Sequence, residues 1–522
     1  MRRPLTLLPL LALLAVATVA GSPWALAETA PPGLRSLLEE EGGLRIDGRP
    51  LDRSLLLAFY QSRDFAPVWI DDPEREAGLL RALAGAGEHG LDPVVFDVPV
   101  VSPAERELML SDAFLRYATA LAQGRARSAQ LETDWAFAAP AFDATAALEK
   151  AASGEAAAVL ATLSPGEPAY RQLQDALAQY QRIAAGGGWA ALDAGPKLAR
   201  GASGESVVAL RRRLAAEGYL SADALAGDFD KNVEAAVRRF QLHHGIATDG
   251  EVGQATLDAL NVAAAARVEQ IRANLERWRE LPRNWPKTRI EVNVPAATLT
   301  ALEDGEPKLV MRTIVGAEDH PTPVLTARMN AILFNPPWRI PASIAKKEIL
   351  PHLRRDPGYL ERNHFVRVGA ALQQLPGAGN ALGRLKFEIP NVYDVYLHDT
   401  PGHPLFARVS RHLSHGCVRL ENPRLLARYV LADRPGWGDT EIDQAIAAGE
   451  TRRVPLTHTR PVYLLYWTAF VGADGGVEFR DDIYDRDRRL SAALARRDAE
   501  EHLAPVAALD PTVNTLEAAA SH

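Results

Sequence analysis

The chain has 522 residues and a formal net charge of −8, so it exceeds what one hydrophobic core organises, and two to four domains are expected. Mild acidity, with an isoelectric point near 6.0, gives no electrostatic footprint for a phosphate backbone and excludes nucleic acid as a partner. One cysteine, Cys417, excludes an internal disulfide. It leaves either a small buried hydrophobe or a thiol kept for its reactivity.

Met1-Arg2-Arg3, an apolar run from Leu5 to Ala20 and Ala25-Leu26-Ala27 before Glu28 have the layout of a cleavable secretory signal over residues 1–27. Pro9, Gly21 and Pro23 interrupt the run, which falls short of the roughly 20 apolar residues of a spanning helix. An exported product is therefore expected over a membrane-anchored one.

Residues 28–190 read as helical, with Leu55, Phe59 and Tyr60, then Leu79, Leu80 and Leu83, at helical spacing. An Ala-rich stretch continues this to Ala185 before Gly186-Gly187-Gly188 and Gly195-Pro196 break it. Residues 198–262 form a compact unit of three helices: Val207, Leu210 and Leu214 share one face, Val233, Val237 and Phe240 another, and 252–260 supplies the third. His243 and His244 are expected to face solvent or to pack within that unit. A linking helix occupies 265–285.

From residue 286 the period shortens to two. Ile290, Val292 and Val294 alternate, and a second run at 309–315 follows the turn Asp304-Gly305, which predicts a hairpin. Further strands are predicted at 331–335, 392–397, 462–471 and 477–480. Between 340 and 385 lies a Pro-, Lys- and Arg-rich insertion with one predicted helix at 344–350, long enough to act as a lid. After 490 a tail is expected, polar and disordered from Arg497 onward.

His412-Leu413-Ser414-His415-Gly416-Cys417-Val418-Arg419 sets the thiol beside two histidines, a glycine and an arginine. A thiol of ordinary pKa, about 8.5, is only slightly ionised at neutral pH, so nucleophilic catalysis needs a base or a positive environment nearby. Gly416 allows backbone N–H groups to approach a developing oxyanion. A predicted strand ends at His398-Asp399, and Gly402 and Pro404 let the chain fold back toward Cys417. His412, His415 and Cys417 lack usual zinc-ligand spacing, and no His-Glu-x-x-His occurs. A papain-like order would put the histidine after the cysteine, and no Gly-x-Ser-x-Gly elbow is present.

His398 followed by Ser414-His415-Gly416-Cys417-Val418-Arg419 resembles the signature of the murein L,D-transpeptidases with a YkuD-type catalytic domain. The likeness extends through Val315-Gly316, Thr322-Pro323, Asn335-Pro336-Pro337-Trp338, Pro376-Gly377, Gly383, Lys386-Phe387 and Asp482-Ile483-Tyr484. Phe59-Tyr60 through Trp69 resembles the scaffold of the larger, YcbB-like members, and Gly204 through Leu257 resembles a small peptidoglycan-binding domain.

The resemblance implies an α+β multidomain protein. Its parts are a helical scaffold (28–190), a three-helix peptidoglycan-binding domain (198–262) and a mainly β catalytic domain (286–490) with a helical lid at 340–385. It implies Cys417 as nucleophile and His398 as general base oriented by a backbone carbonyl near Asp399, with His415 as a second histidine and alternative base. Gly416 and Cys417 amides would form the oxyanion hole, with Ser414 and Arg419 in support. No cofactor or metal is implied. The expected reaction joins two stem peptides, donor and acceptor, into a 3→3 cross-link in the periplasm, with wall-synthesis proteins as candidate partners. A stem-peptide hydrolase using the same thiol and a non-catalytic wall-binding scaffold are the alternatives.

Overall fold

The computed structural model describes residues 33–40 and 42–503, and the predicted signal segment lies outside them. Among the described residues no helix is long and apolar enough to cross a membrane.

The N-terminal region is built around the helix Pro103–Gln123, which buries residues on nearly every side, among them Leu108, Met109, Phe114 and Leu121. Its start is set locally: Pro103 sits in the first turn, and Ser102 and Glu105 cap each other reciprocally. One face carries the buried Glu107, whose carboxylate accepts the backbone N–H groups of Val68, Trp69 and Ile70 and the Tyr60 hydroxyl at 2.7 Å. Ser111, one turn on, takes the Trp69 indole N–H at 2.8 Å. Tyr60 and Trp69 are thus tied to one helix, each with a charge-assisted bond to Glu107, inside an apolar core.

Residues 198–262 fold as three helices, Glu205–Ala216, Lys231–His243 and Gln254–Leu260, around Val207, Leu210, Leu214, Val233, Val237 and Phe240. The two histidines pack within the unit, His244 on Phe240 and His243 against Tyr219, and both also reach beyond it. His243 Nε2 reaches Asp474 at 2.8 Å, and His244 stacks on Phe240 and lies beside Phe479. Both are buried where this unit docks on the turn before Val477–Phe479. The local pattern could not show that partner, which lies more than 200 residues away in sequence.

The linking helix, Ala264–Arg279, is the hub of the molecule. Its Ile271 and Leu275 pack with Tyr170, Leu173 and Tyr180 of the helix Pro168–Ala185 and with Ala469 and Phe479 of the C-terminal region. Asn274 bonds the Thr468 hydroxyl at 2.7 Å, while Glu276 accepts the Ala126 N–H at 2.7 Å. Just past the helix, Glu280 takes the N–H and hydroxyl of Ser128. The predicted tail instead continues as the helix Arg486–Leu503, whose Leu490, Ala493 and Leu494 pack on Ala126 and Ala273. Apolar positions at i, i+3 and i+4 supply that face despite the polar composition.

The catalytic region is a nine-stranded sheet: β1 (Arg289–Asn293), β2 (Thr298–Glu303), β3 (Glu306–Gly316), β4 (Leu325–Phe334), β5 (Leu385–Glu388), β6 (Leu397–His398), β7 (His412–Ser414), β8 (Val418–Leu420) and β9 (Arg452–Leu465). The order is β7-β3-β8-β6-β5-β4-β9-β1-β2, and a β2–β3 pairing closes it into a ring. The turn at Asp304-Gly305 joins β2 to β3, so the predicted hairpin partner of β3 is β2 and not β1. Most of the strand predicted at 392–397 is a turn: Asn391 bonds the N–H of Tyr393 and Val395, Asp394 takes a positive φ of 53°, and only Leu397–His398 pairs. An Asx-type side chain has outcompeted the ladder there.

The insertion holds more structure than the single predicted helix. It is helical from 342 to 355, adds Tyr359–Arg362, and pairs Trp338–Arg339, Ala371–Gln374 and Phe365–Val368 into a three-stranded sheet. Its own small core holds Ile340, Ile349, Phe365 and Leu372.

Candidate active site

Strands β5, β6 and β8 lie side by side with Lys386 opposite His398 and His398 opposite Arg419. Because side chains alternate across a strand, Lys386, Tyr396, His398, Cys417 and Arg419 share one face. Phe387, Leu397 and Val418 are fully buried on the other. The five polar groups therefore gather for a reason visible in each strand's period.

His398 is held from one side. Its Nδ1–H donates to the Asp399 carbonyl at 2.5 Å, which leaves Nε2 as the unprotonated nitrogen. Asp399 is itself clamped: its carboxylate accepts the N–H of Arg384 at 2.7 Å and of Thr400 at 2.7 Å. Gly383, at φ +60°, is the space this clamp occupies, since a Cβ there would sit 2.3 Å from the Asp399 carboxyl carbon. Burial, with the positive Arg419 nearby, drops the imidazole to about 3.

Cys417 is half-buried, one residue before β8. Its neighbour is Tyr396, whose N–H and hydroxyl both face the sulfur, while the Trp338 indole faces the same hydroxyl. Burial pushes the thiol above its ordinary value, and Lys386 and the Tyr396 donors oppose that push. With the thiol raised and the imidazole lowered, the resting pair is neutral. No hydrogen bond among the described residues joins the thiol to a histidine.

The turn before the cysteine is fixed from below. Gly416 has φ +105°, its N–H donates to Ser414 Oγ at 3.1 Å, and Ser414 Oγ donates to the Cys417 carbonyl at 2.6 Å. Gly416 N–H is thus committed to Ser414, so of the two amides named for an oxyanion hole only that of Cys417 is left without a partner among the described residues. The Gly416 carbonyl accepts from Thr322 Oγ1 at 2.8 Å, and that hydroxyl also takes the Gly316 N–H at 2.8 Å. Tyr484 closes the network by donating to the Gly316 carbonyl at 2.7 Å. Gly316 itself admits no side chain, because a Cβ would meet the His320 carbonyl at 2.2 Å.

His415 points elsewhere. Its Nε2 pairs with Glu348 of the insertion at 2.6 Å, and its ring lies 5.0 Å from that of His320. His412 faces the Pro295 carbonyl. Tyr396, Lys386 and Glu348 belong to this site and were absent from the sequence-derived set. The alternation that placed His398 would also have placed Tyr396, whereas nothing local marks Glu348.

Three segments match known families: "Scaffold domain" over residues 54–177, "Putative peptidoglycan binding domain" over 203–260 and "L,D-transpeptidase catalytic domain" over 287–446. A Haemophilus influenzae protein described as "Putative L,D-transpeptidase" is 33% identical over 225 residues, 39% of this chain and 45% of that relative. The match therefore spans less than half the length of the curated relative. Among solved structures, an L,D-transpeptidase from Xylanimonas cellulosilytica is 17% identical, covering 52% of this chain and 99% of its own, with a TM-score of 0.18. One from Stackebrandtia nassauensis is 14% identical, covering 53% and 96%, with a TM-score of 0.22. One chain thus joins segments that match a scaffold domain, a peptidoglycan-binding domain and a β-rich L,D-transpeptidase catalytic domain.

Proposed function

We propose that this chain is an exported peptidoglycan L,D-transpeptidase that forms 3→3 cross-links through a thioester on Cys417. The observation that supports it most is the shared face of Lys386, Tyr396, His398, Cys417 and Arg419, with His398 held by the Asp399 carbonyl so that Nε2 is free to accept a proton.

The thiol attacks the carbonyl between the third residue of a donor stem and its terminal D-alanine. As the S–C bond forms, the thiol proton passes to His398 Nε2, and the Cys417 N–H receives the oxyanion. Collapse breaks the C–N bond, His398 returns the proton to the leaving amine, and D-alanine departs. An amine on the third residue of an acceptor stem then attacks the thioester. Its proton passes through His398 to the departing thiolate, restoring the neutral pair. The insertion, which reaches the Cys417 turn through the His415–Glu348 pair, would close over this face once substrate is bound and exclude water, favouring the amine over hydrolysis. The three-helix unit would hold the enzyme at the wall in the periplasm.

Mass spectrometry of stem tetrapeptides incubated with wild type and Cys417→Ala tests the reading. Cross-linked dimer and free D-alanine from wild type alone are expected. Tripeptide with no dimer at any acceptor concentration would make the protein a hydrolase, and no product together with no adduct from a carbapenem would make it a wall-binding scaffold.

A further inference from the structure

Cations on the reactive face lack the partners such groups normally have. Arg419 is half-buried, yet among the described residues it has no hydrogen-bonded or ion-paired partner, and burial holds its pKa below the ordinary arginine value. Lys386 places Nζ 3.7 Å over the Tyr396 ring and forms no ion pair among the described residues. A guanidinium withdrawn from water without a carboxylate is costly, and such a cost persists where a ligand repays it. Asp394, a carboxylate felt at the sulfur, forms no ion pair with either cation.

One carboxylate does approach. Glu348, carried by the insertion, ion-pairs with His415 and acts electrostatically on Arg419. It is the chain's own acid, carried by a separate small subdomain and held at the turn before Cys417 by His415.

Resting on the transpeptidase reading, we propose that Arg419 and Lys386 form the subsite for the terminal carboxylate of the donor stem, and that Glu348 is the internal carboxylate that competes for it. The dimensions agree. In a donor cleaved one residue from its end, the carboxylate lies about 4 Å beyond the attacked carbonyl. Arg419 is two residues beyond Cys417 on the same face, roughly 7 Å along the strand, and its side chain can close the remainder. Arginine suits the task because its planar fork matches a carboxylate in two bonds.

The test uses the full chain and two donors, a tetrapeptide stem ending in free D-alanine and the same stem ending in D-alaninamide. Wild type is expected to prefer the acid by about tenfold or more in kcat/KM. Arg419→Gln should erase that preference by raising KM for the acid far more than for the amide, any change it makes through His398 falling on both donors alike, and Arg419→Lys should restore part of it. Glu348→Gln should move the other way, lowering KM for the acid about two- to fivefold and leaving the amide alone. Should Arg419→Gln fail to fold, Lys386→Gln, at a half-buried position, and Glu348→Gln, at an exposed one, carry the same ratio. An acid-to-amide ratio unchanged in all variants that turn over substrate overturns the subsite and leaves the transpeptidase reading standing. A wild type that turns over neither peptide overturns both.

Discussion

The Thr322 hydroxyl donates to the Gly416 carbonyl at 2.8 Å, across 94 residues of sequence, and so ties the loop after β3 to the turn that carries Cys417. The same oxygen accepts the Gly316 N–H, which makes one side chain the junction of two backbone segments. Thr322→Val keeps the shape but leaves a buried N–H and a buried carbonyl without partners. Each costs about 1–3 kcal/mol, so a loss of about 2–6 kcal/mol in chemical denaturation is expected, with kcat falling more than KM rises.

Gly383 is the second remote position on which the chemistry depends. Gly383→Ala forces a Cβ into the Asp399 carboxyl group and into a positive φ, which moves the carbonyl that orients His398. A misplaced base of this kind costs about 100-fold. Steady-state kinetics should show the loss in kcat with the midpoint of thermal unfolding lowered by only a few degrees, and an unchanged kcat would show that Asp399 does not position the imidazole.

The resting thiol is neutral, since burial raises Cys417 while burial and Arg419 lower His398 to about 3. Alkylation by iodoacetamide should therefore climb continuously through about pH 9, with no plateau between about pH 6 and pH 8 of the kind a thiolate–imidazolium pair gives. Tyr396→Phe removes a donor that faces the sulfur and should slow alkylation about three- to tenfold at fixed pH. A flat profile from pH 6 would show the pair to be charged before substrate arrives.

Glu280 gives a stability signature. Burial, reinforced by the Glu276 carboxylate, raises it to about 8. An unfolded chain releases that proton near the ordinary value, so between about pH 4.5 and pH 8 the folded protein holds a proton that the unfolded chain does not. The stability this group contributes is full below that window and is lost as pH rises through it. Glu280→Gln, neutral at every pH, should lessen the decline between pH 5 and pH 8 by on the order of 2 kcal/mol in urea denaturation.

The reactive face was legible to the extent that it is written in period and spacing. The alternation at 395–398, with a chain able to fold back at Gly402 and Pro404, predicts that His398 and Cys417 can meet, and the pairing of Leu397–His398 with Val418–Arg419 brings their segments side by side. What escaped is what three dimensions decide. His415, two residues before Cys417, turns toward Glu348, while Ser414 takes up the Gly416 N–H and fixes the turn between them. Strand β2 went unread because its Thr-Leu-Thr-Ala-Leu-Glu carries too little β-branched signal by itself, and it is fixed by pairing with both neighbours. The helix after residue 486 reads as polar until Ala126 and Ala273 supply a surface for its few leucines and alanines.

Ala264–Arg279 draws residues from the scaffold and the C-terminal region into one apolar cluster, while the wall-binding unit docks beside it through His243–Asp474. Cutting the molecule at its family boundaries would expose Phe479, Tyr180 and Ile271 together, so the pieces are not independent modules on strings. Heat should melt the assembly in one step, and a protease should find no early nick between 264 and 279. Any hold taken by the three-helix unit is thereby transmitted rigidly, and the face of His398 and Cys417 is presented at an angle set by the whole body of the molecule.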